Sequence, residues 1–149
     1  MYNKILVPLD QSRRAEAILP HVENLAVLHG SRVIFMVVAE PPRAAVASSS
    51  RLPAIYQASV EAQDQEIEDY LAGIQGKFRG KGIASETRLA HGPIVEEIIR
   101  AANTENVDLI AIASHGRGGL ARVFYGSVAA GILQRIDRPL LIIRARDGQ

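Results

Sequence analysis

Apolar residues recur along the chain in two rhythms that take turns. Short, nearly unbroken apolar runs stand at "KILVPL" from Lys4 to Leu9, at Val33 to Ala39 within "SRVIFMVVAE", at "VDLIAIAS" and at "PLLIIRA". Runs of this length, rich in β-branched residues and bounded by polar clusters, read as strands buried on both faces. A fifth stretch, "GIASETRLA", alternates apolar and polar positions and reads as a half-exposed strand near a sheet edge. Between these runs the spacing becomes helical. It joins Ala15, Ile18, Leu19, Val22, Leu25 and Ala26, then Val60, Ile67, Leu71, Ile74 and Phe78, then Ile94, Val95, Ile98, Ile99 and Ala102. "SVAAGILQRI" supplies the last helix, introduced by Gly126 and Ser127.

Local signals mark the boundaries. Ser12 is placed to cap the first helix and Gly30 to close it, while Pro20 removes a backbone donor inside it and predicts a kink or an early break. Pro93 stands at a first-turn position of the third helix. The proline- and serine-rich segment "PPRAAVASSSRLP", Pro41 to Pro53, reads as a mobile loop. Strands and helices alternate throughout, which predicts an open parallel five-stranded sheet with right-handed crossovers and helices on both faces. No internal repeat interrupts the pattern, and residues 1–149 are expected to form a single domain.

Composition narrows the class. Hydrophobic residues make up 48% of the chain and charged residues 22%, a globular balance. There is no cysteine, so disulfides, thiolate nucleophiles and cysteine-zinc sites are excluded, in keeping with a reducing compartment. The N-terminal apolar run, ended by Asp10, is too short for a signal peptide, and no run is long enough to span a bilayer, so a cytoplasmic location is expected. Net charge is +1, too balanced for wholesale nucleic-acid or membrane binding.

In such sheets a ligand crevice opens at the carboxyl ends of the strands where the strand order reverses. With the order 3-2-1-4-5, common for this architecture, the reversal falls between strands one and four. Their tails are "PLDQS" and "ASHGRGGLARVFYGS". Gly116, Gly118 and Gly119 allow backbone amides to approach a ligand, Gly126 and Ser127 open a helix whose free N–H groups favour an anion, and Arg117 and Arg122 add charge at the rim. The same glycines serve equally as a tight turn, and Ser127 as a plain helix cap. "GKFRGKG" lacks Walker spacing and leads into a strand, so it reads as a helix end and turn. "GRGGLA" fits the dinucleotide fingerprint, but it follows the fourth strand and no acidic residue ends the next one.

These residues resemble the nucleotide-binding branch of the universal stress protein family. Its signature of glycine, two residues, glycine, nine residues, then glycine with serine or threonine stands here as Ala113, Ser114-His115, Gly116, Arg117 to Tyr125, then Gly126-Ser127. Only the first glycine differs. "ILVPLDQS", "HGPIVEEIIRAA", "VDLIAIASHGRGGL" and "RPLLIIR" extend the resemblance over nearly the whole length. It implies an adenine-nucleotide alpha-hydrolase-like, flavodoxin-like three-layer sandwich and an ATP site. In that site Pro8, Leu9, Asp10, Val38 and Ile112 border the adenosine, with Asp10 available to a ribose hydroxyl. Gly116, Gly126, Ser127 and the amide of Val128 receive the phosphates. Alanine at position 113 narrows backbone approach and disfavours positive φ. The resemblance further implies homodimer pairing through the last strand, 139–145.

The remaining candidates have plainer readings. His115 reads as a hydrogen-bonded loop anchor more than as a phosphate contact or proton carrier, and Glu96-Glu97 as a solvated first-turn pair. His21, His29 and His91 lack metal-like spacing, so no dedicated metal site is expected, and magnesium would accompany ATP through its phosphates. "FYGSVAA" is not a nucleophile elbow, and no residue stands out as catalytic. The leading expectation is a dimeric ATP-binding sensor or regulator with slow or no hydrolysis, acting on an unidentified downstream protein. The alternatives are an ATP-hydrolysing enzyme using Asp10 or His115, and an interaction module of the same fold that binds no nucleotide.

Overall fold

Each apolar run becomes a parallel strand because its two faces find two different partners. The computed structural model describes residues 1–40, 52–114 and 126–145. Its elements are β1 (Lys4–Leu9), a 3₁₀ turn (Ala15–Ile18), α1 (Leu19–His29), β2 (Arg32–Ala39), α2 (Leu52–Gly80), β3 (Ser85–His91), α3 (Ile94–Thr104), β4 (Leu109–Ser114), α4 (Gly126–Arg135) and β5 (Leu140–Arg144). The five strands form one parallel sheet in the order β3-β2-β1-β4-β5.

Side-chain parity divides the core. Odd positions of the central strands, among them Ile5, Val7, Val33, Phe35, Leu109 and Ala111, pack under the 3₁₀ turn, α1 and α2 with Ile18, Val22, Ile67, Leu71, Ile74 and Phe78. Even positions, Leu6, Ile34, Met36, Ile110 and Ile112, pack under α3 and α4 with Ile98, Ala102, Ala129 and Ile132. Alternate side chains point to opposite faces of a strand, so a strand covered on both sides must be apolar at every position. The result is the three-layer α/β arrangement, with helices on both faces. β3, whose side chains are half-exposed, lies at one edge, and β5 forms the other.

Local expectations are settled or changed at five positions. Of the kink or early break expected at Pro20, the break is found: the chain makes the 3₁₀ turn first, and α1 starts afresh with Pro20 in its opening turn, where an amide has no partner to lose. Ser12 caps the 3₁₀ turn, its hydroxyl accepting the Ala15 N–H at 3.1 Å. Pro93 is the residue before α3, extended at φ −63° and ψ 129°, and Pro53 already belongs to α2. Glu97 is buried instead of solvated, accepting a hydrogen bond from Arg100 at 2.8 Å. Of the segment read as a mobile loop, residues 41–51 lie outside the described residues.

β1 is stitched beside β4 at their amino ends. The Asp108 carboxylate accepts the Asn3 and Lys4 amides at 2.7 and 2.8 Å, and the Asp108 N–H donates to the Lys4 carbonyl. The β1–β4 pairing covers Ile5 with Leu109 and Leu6 with Ile110, two residues short of Pro8, which has no N–H to contribute. Beyond Leu6 the pairing stops, while β1 stays paired with β2 as far as Leu9 and Val37. That parting leaves room at the carboxyl end of the sheet.

Candidate functional site

The room is a pocket of about 450 Å³ at the point where the strand order reverses. Pro8, Leu9 and Asp10 line it from the end of β1, Met36 and Val38 from β2, and Ile112, Ala113 and Ser114 from the end of β4. Ala15 closes one side, Ile94 and Ile98 of α3 another, and Gly126, Ser127, Val128 and Ala129 present the first turn of α4. Nine of the residues singled out from the sequence therefore meet around one cavity: Pro8, Leu9, Asp10, Val38, Ile112, Ala113, Gly126, Ser127 and Val128. His115, Gly116 and Arg117 lie outside the described residues.

The walls differ in chemistry. Met36, Val38, Ile94, Ile98 and Ile112 make an apolar slot between the sheet and α3. Another part of the lining is the amino end of α4, whose opening amides have no partners within the helix and whose dipole favours negative charge. Gly126 has φ +66°, a left-handed conformation that a side chain would strain, and it turns the chain into that helix. Ser127 is exposed beside it.

Asp10 is the one ionisable side chain among the described lining residues. Its Oδ1 accepts the Ser12 amide at 2.9 Å and the Ser12 hydroxyl, so the turn reading of this residue holds while it also borders the pocket. Gln11, directly after it, has φ +68° without being glycine, a sparsely populated conformation. A carboxylate here suits neutral hydroxyl groups and repels phosphates. The α4 terminus suits the reverse. Together the walls are arranged for a molecule with a flat apolar part, hydroxyls and an anionic end.

Ala113 sits within β4, paired with Ile143, so positive φ is not demanded of it, and its methyl group is accommodated in an extended strand. The conformational objection to alanine at this position therefore falls away. Six lining residues were not singled out from the sequence: Met36, Ile94, Ile98, Ala15, Ser114 and Ala129. Met36 shares the parity of Val38, and Ile94 with Ile98 forms one side of α3, so the periodicity carried a signal for three of them.

On the other face of the sheet from α3, the Tyr70 hydroxyl of α2 is buried without a hydrogen-bond partner among the described residues. Burial first, then the Glu16 carboxylate and lastly Asp10, push its pKa well above the usual tyrosine range. Glu16 approaches the hydroxyl, but the pair stops short of a well-formed hydrogen bond.

Comparison with known proteins places this geometry in context. The sequence model of the universal stress protein family matches residues 1–144. Universal stress protein MJ0577 of Methanocaldococcus jannaschii is 28% identical, with 99% of this chain and 98% of the relative aligned. The solved structure of MJ0577 superposes with a TM-score of 0.83 at 26% identity over 99% of each chain. A universal stress protein in complex with cAMP shares the fold at TM-score 0.72 and 18% identity, covering 97% of this chain and 98% of that one. One from Archaeoglobus fulgidus in complex with dAMP does so at 0.64 and 21%, covering 95% and 98%.

Proposed function

The chain belongs to the universal stress protein family, and from that premise we propose that its pocket binds an adenine nucleotide, ATP foremost, as the input of a cytoplasmic stress-response sensor or regulator. The observation that carries this reading is that Asp10, the α4 amino terminus and an apolar slot line one cavity. The base lies in the slot against Val38, Ile112, Met36, Ile94 and Ile98. The ribose hydroxyls reach Asp10 beside Pro8 and Leu9. The phosphates extend over Gly126, Ser127 and the Val128 amide; His115, Gly116 and Arg117, the other candidates for them, lie outside the described residues. That two relatives of the same fold are complexes with cAMP and dAMP supports an adenine nucleotide as the class.

Magnesium travels with the phosphates in this reading, because this cation keeps most of its waters and binds through phosphate oxygens. Hydrolysis is slow or absent. Asp10 is the only carboxylate on the described walls, and it is engaged by Ser12 in a turn instead of poised over an attacking water. The regulator acts as a homodimer through β5. β3 carries Glu86 and Arg88 along its edge, whereas β5 offers Leu140, Leu141, Ile142 and Ile143, all half-exposed, and an apolar edge of that kind calls for a partner.

The test is to denature freshly purified protein and identify any released nucleotide by chromatography and mass spectrometry, beside a Gly126→Asp variant. The substitution strains the positive-φ position and puts a negative charge where phosphates should lie. Near-stoichiometric ATP from the wild type and none from a folded variant supports the reading. A wild type that is empty and also fails to bind added ATP with magnesium refutes it.

A further inference from the structure

β5 keeps beside β4 up to the pocket. Ala113 pairs with Ile143 and Ser114 with Arg144, and the Ala145 N–H donates to the Ser114 carbonyl at 3.1 Å. Ser114 lines the pocket, so the Arg144 backbone runs one strand spacing from the lining, about 4.8 Å away. Parity sets the direction of its side chain. Leu140 and Ile142 pack in the layer of Ala129 and Ile132 of α4, whereas Leu141 and Ile143 pack on the opposite face. Arg144 shares the parity of Leu140 and Ile142 and so leaves the sheet on the α4 side. Height agrees with direction. α4 ends at Arg135 and β5 starts at Leu140, so helix and strand run in opposite senses. Ten residues of helix rise about 15 Å and five of strand about 16 Å, which sets the opening turn of α4 level with Arg144.

Among the described residues no hydrogen bond or ion pair engages the exposed Arg144 guanidinium, whereas Arg32, Arg88, Arg100 and Arg138 each meet a carboxylate. We propose that Arg144 binds phosphate: it brings a forked cation to the α4 amino terminus and gives the pocket its preference for nucleotides with more phosphates. The proposal deepens the nucleotide reading and rests on it for the ligand. It also gives the ligand a direction. In the order β1-β4-β5 the tail of β4 has Asp10 on one side and Arg144 on the other. A carboxylate repels phosphates and a guanidinium attracts them, so the ribose lies toward β1 and the phosphates toward β5.

Calorimetric titration with ATP and magnesium, AMP and adenosine tests it on the wild type, Arg144→Gln and Arg144→Lys. Arg144→Gln should weaken ATP about fivefold, the scale of an exposed charge pair, with a smaller loss for AMP and none for adenosine. Arg144→Lys should keep most of the ATP affinity, because the charge remains. Added salt should narrow the wild-type preference for ATP over adenosine more than that of Arg144→Gln. A residue that only supports the strand or a subunit contact would shift all three ligands alike. Equal losses for the three, or unchanged ATP affinity in Arg144→Gln, overturn the proposal and leave the nucleotide site intact. A wild type that binds none of the three overturns both.

Discussion

Arg138 shows how much one side chain can hold at the far end of the sheet from the pocket. Its guanidinium donates to the Ala102 carbonyl at 2.6 Å, the Val107 carbonyl at 3.2 Å and the Asn103 side chain at 2.8 Å, tying the end of α3 to the entry into β5. Arg138→Ala should cost about 2 kcal/mol in denaturant unfolding, and Arg138→Lys should recover little of it, because a single ammonium cannot reproduce the fork. Tyr70 carries a different consequence. Its pKa is raised in the folded protein, whereas an unfolded tyrosine ionises near pH 10. Its contribution is therefore complete below about pH 10 and is lost as pH rises further, because the unfolded chain then gives up a proton that the folded one keeps. Denaturation midpoints measured across the alkaline range should fall more steeply for wild type than for Tyr70→Phe. Residue identity alone disclosed neither role. Glu97 was hidden for the same reason: first-turn carboxylates are ordinarily wet, and only the fold brings Gly92 and Arg100 around it. Asp10 was legible, because a strand-end acid before a cap must either turn the chain or face the crevice, and here it does both.

At the scale of elements, the strands were readable wherever covering on two faces demanded unbroken apolar runs, and β3 was readable as an edge from its alternation. The start of α1 was less so, since Pro20 could be accommodated either by a kink or by a fresh start, and packing of Ala15 and Ile18 against β1 and β4 favoured the latter. Contact between α3 and α4 shapes the pocket wall. A methyl group at Gly131 would meet Val95 Cγ2 at 2.8 Å, closer than carbon atoms tolerate, so these helices approach where a side chain is missing. Gly131→Ala should destabilise the fold by about 1–3 kcal/mol through overpacking, and Val95→Ala in the same chain should relieve part of the loss. Thermal or denaturant unfolding of the four variants in that cycle checks the coupling. An α3 displaced by this substitution would also carry Ile94 and Ile98 outward and loosen the apolar slot.

For the whole molecule, two asymmetries decide what the fold can do. One is the contrast between its edges, charged along β3 and apolar along β5. A charge introduced by Ile142→Lys should convert a dimer to a monomer in light scattering without unfolding it, and an unchanged mass would place the subunit contact elsewhere. The other is the reversal of strand order beside Pro8, which opens a cavity between an acid-bearing turn and a helix terminus. The position of that cavity followed from the strand order assumed for this architecture, which the sheet bears out, while its apolar slot emerged only when α3 was laid over the sheet. The most direct test is methyl NMR during titration with ATP and magnesium. Val38, Ile94, Ile98, Ile112 and Val128 should shift together and saturably, while Val27 and Leu28, exposed on α1 away from the pocket, stay in place. Shifts absent from the first group, or centred on any other face, would contradict a nucleotide site at the point of strand reversal.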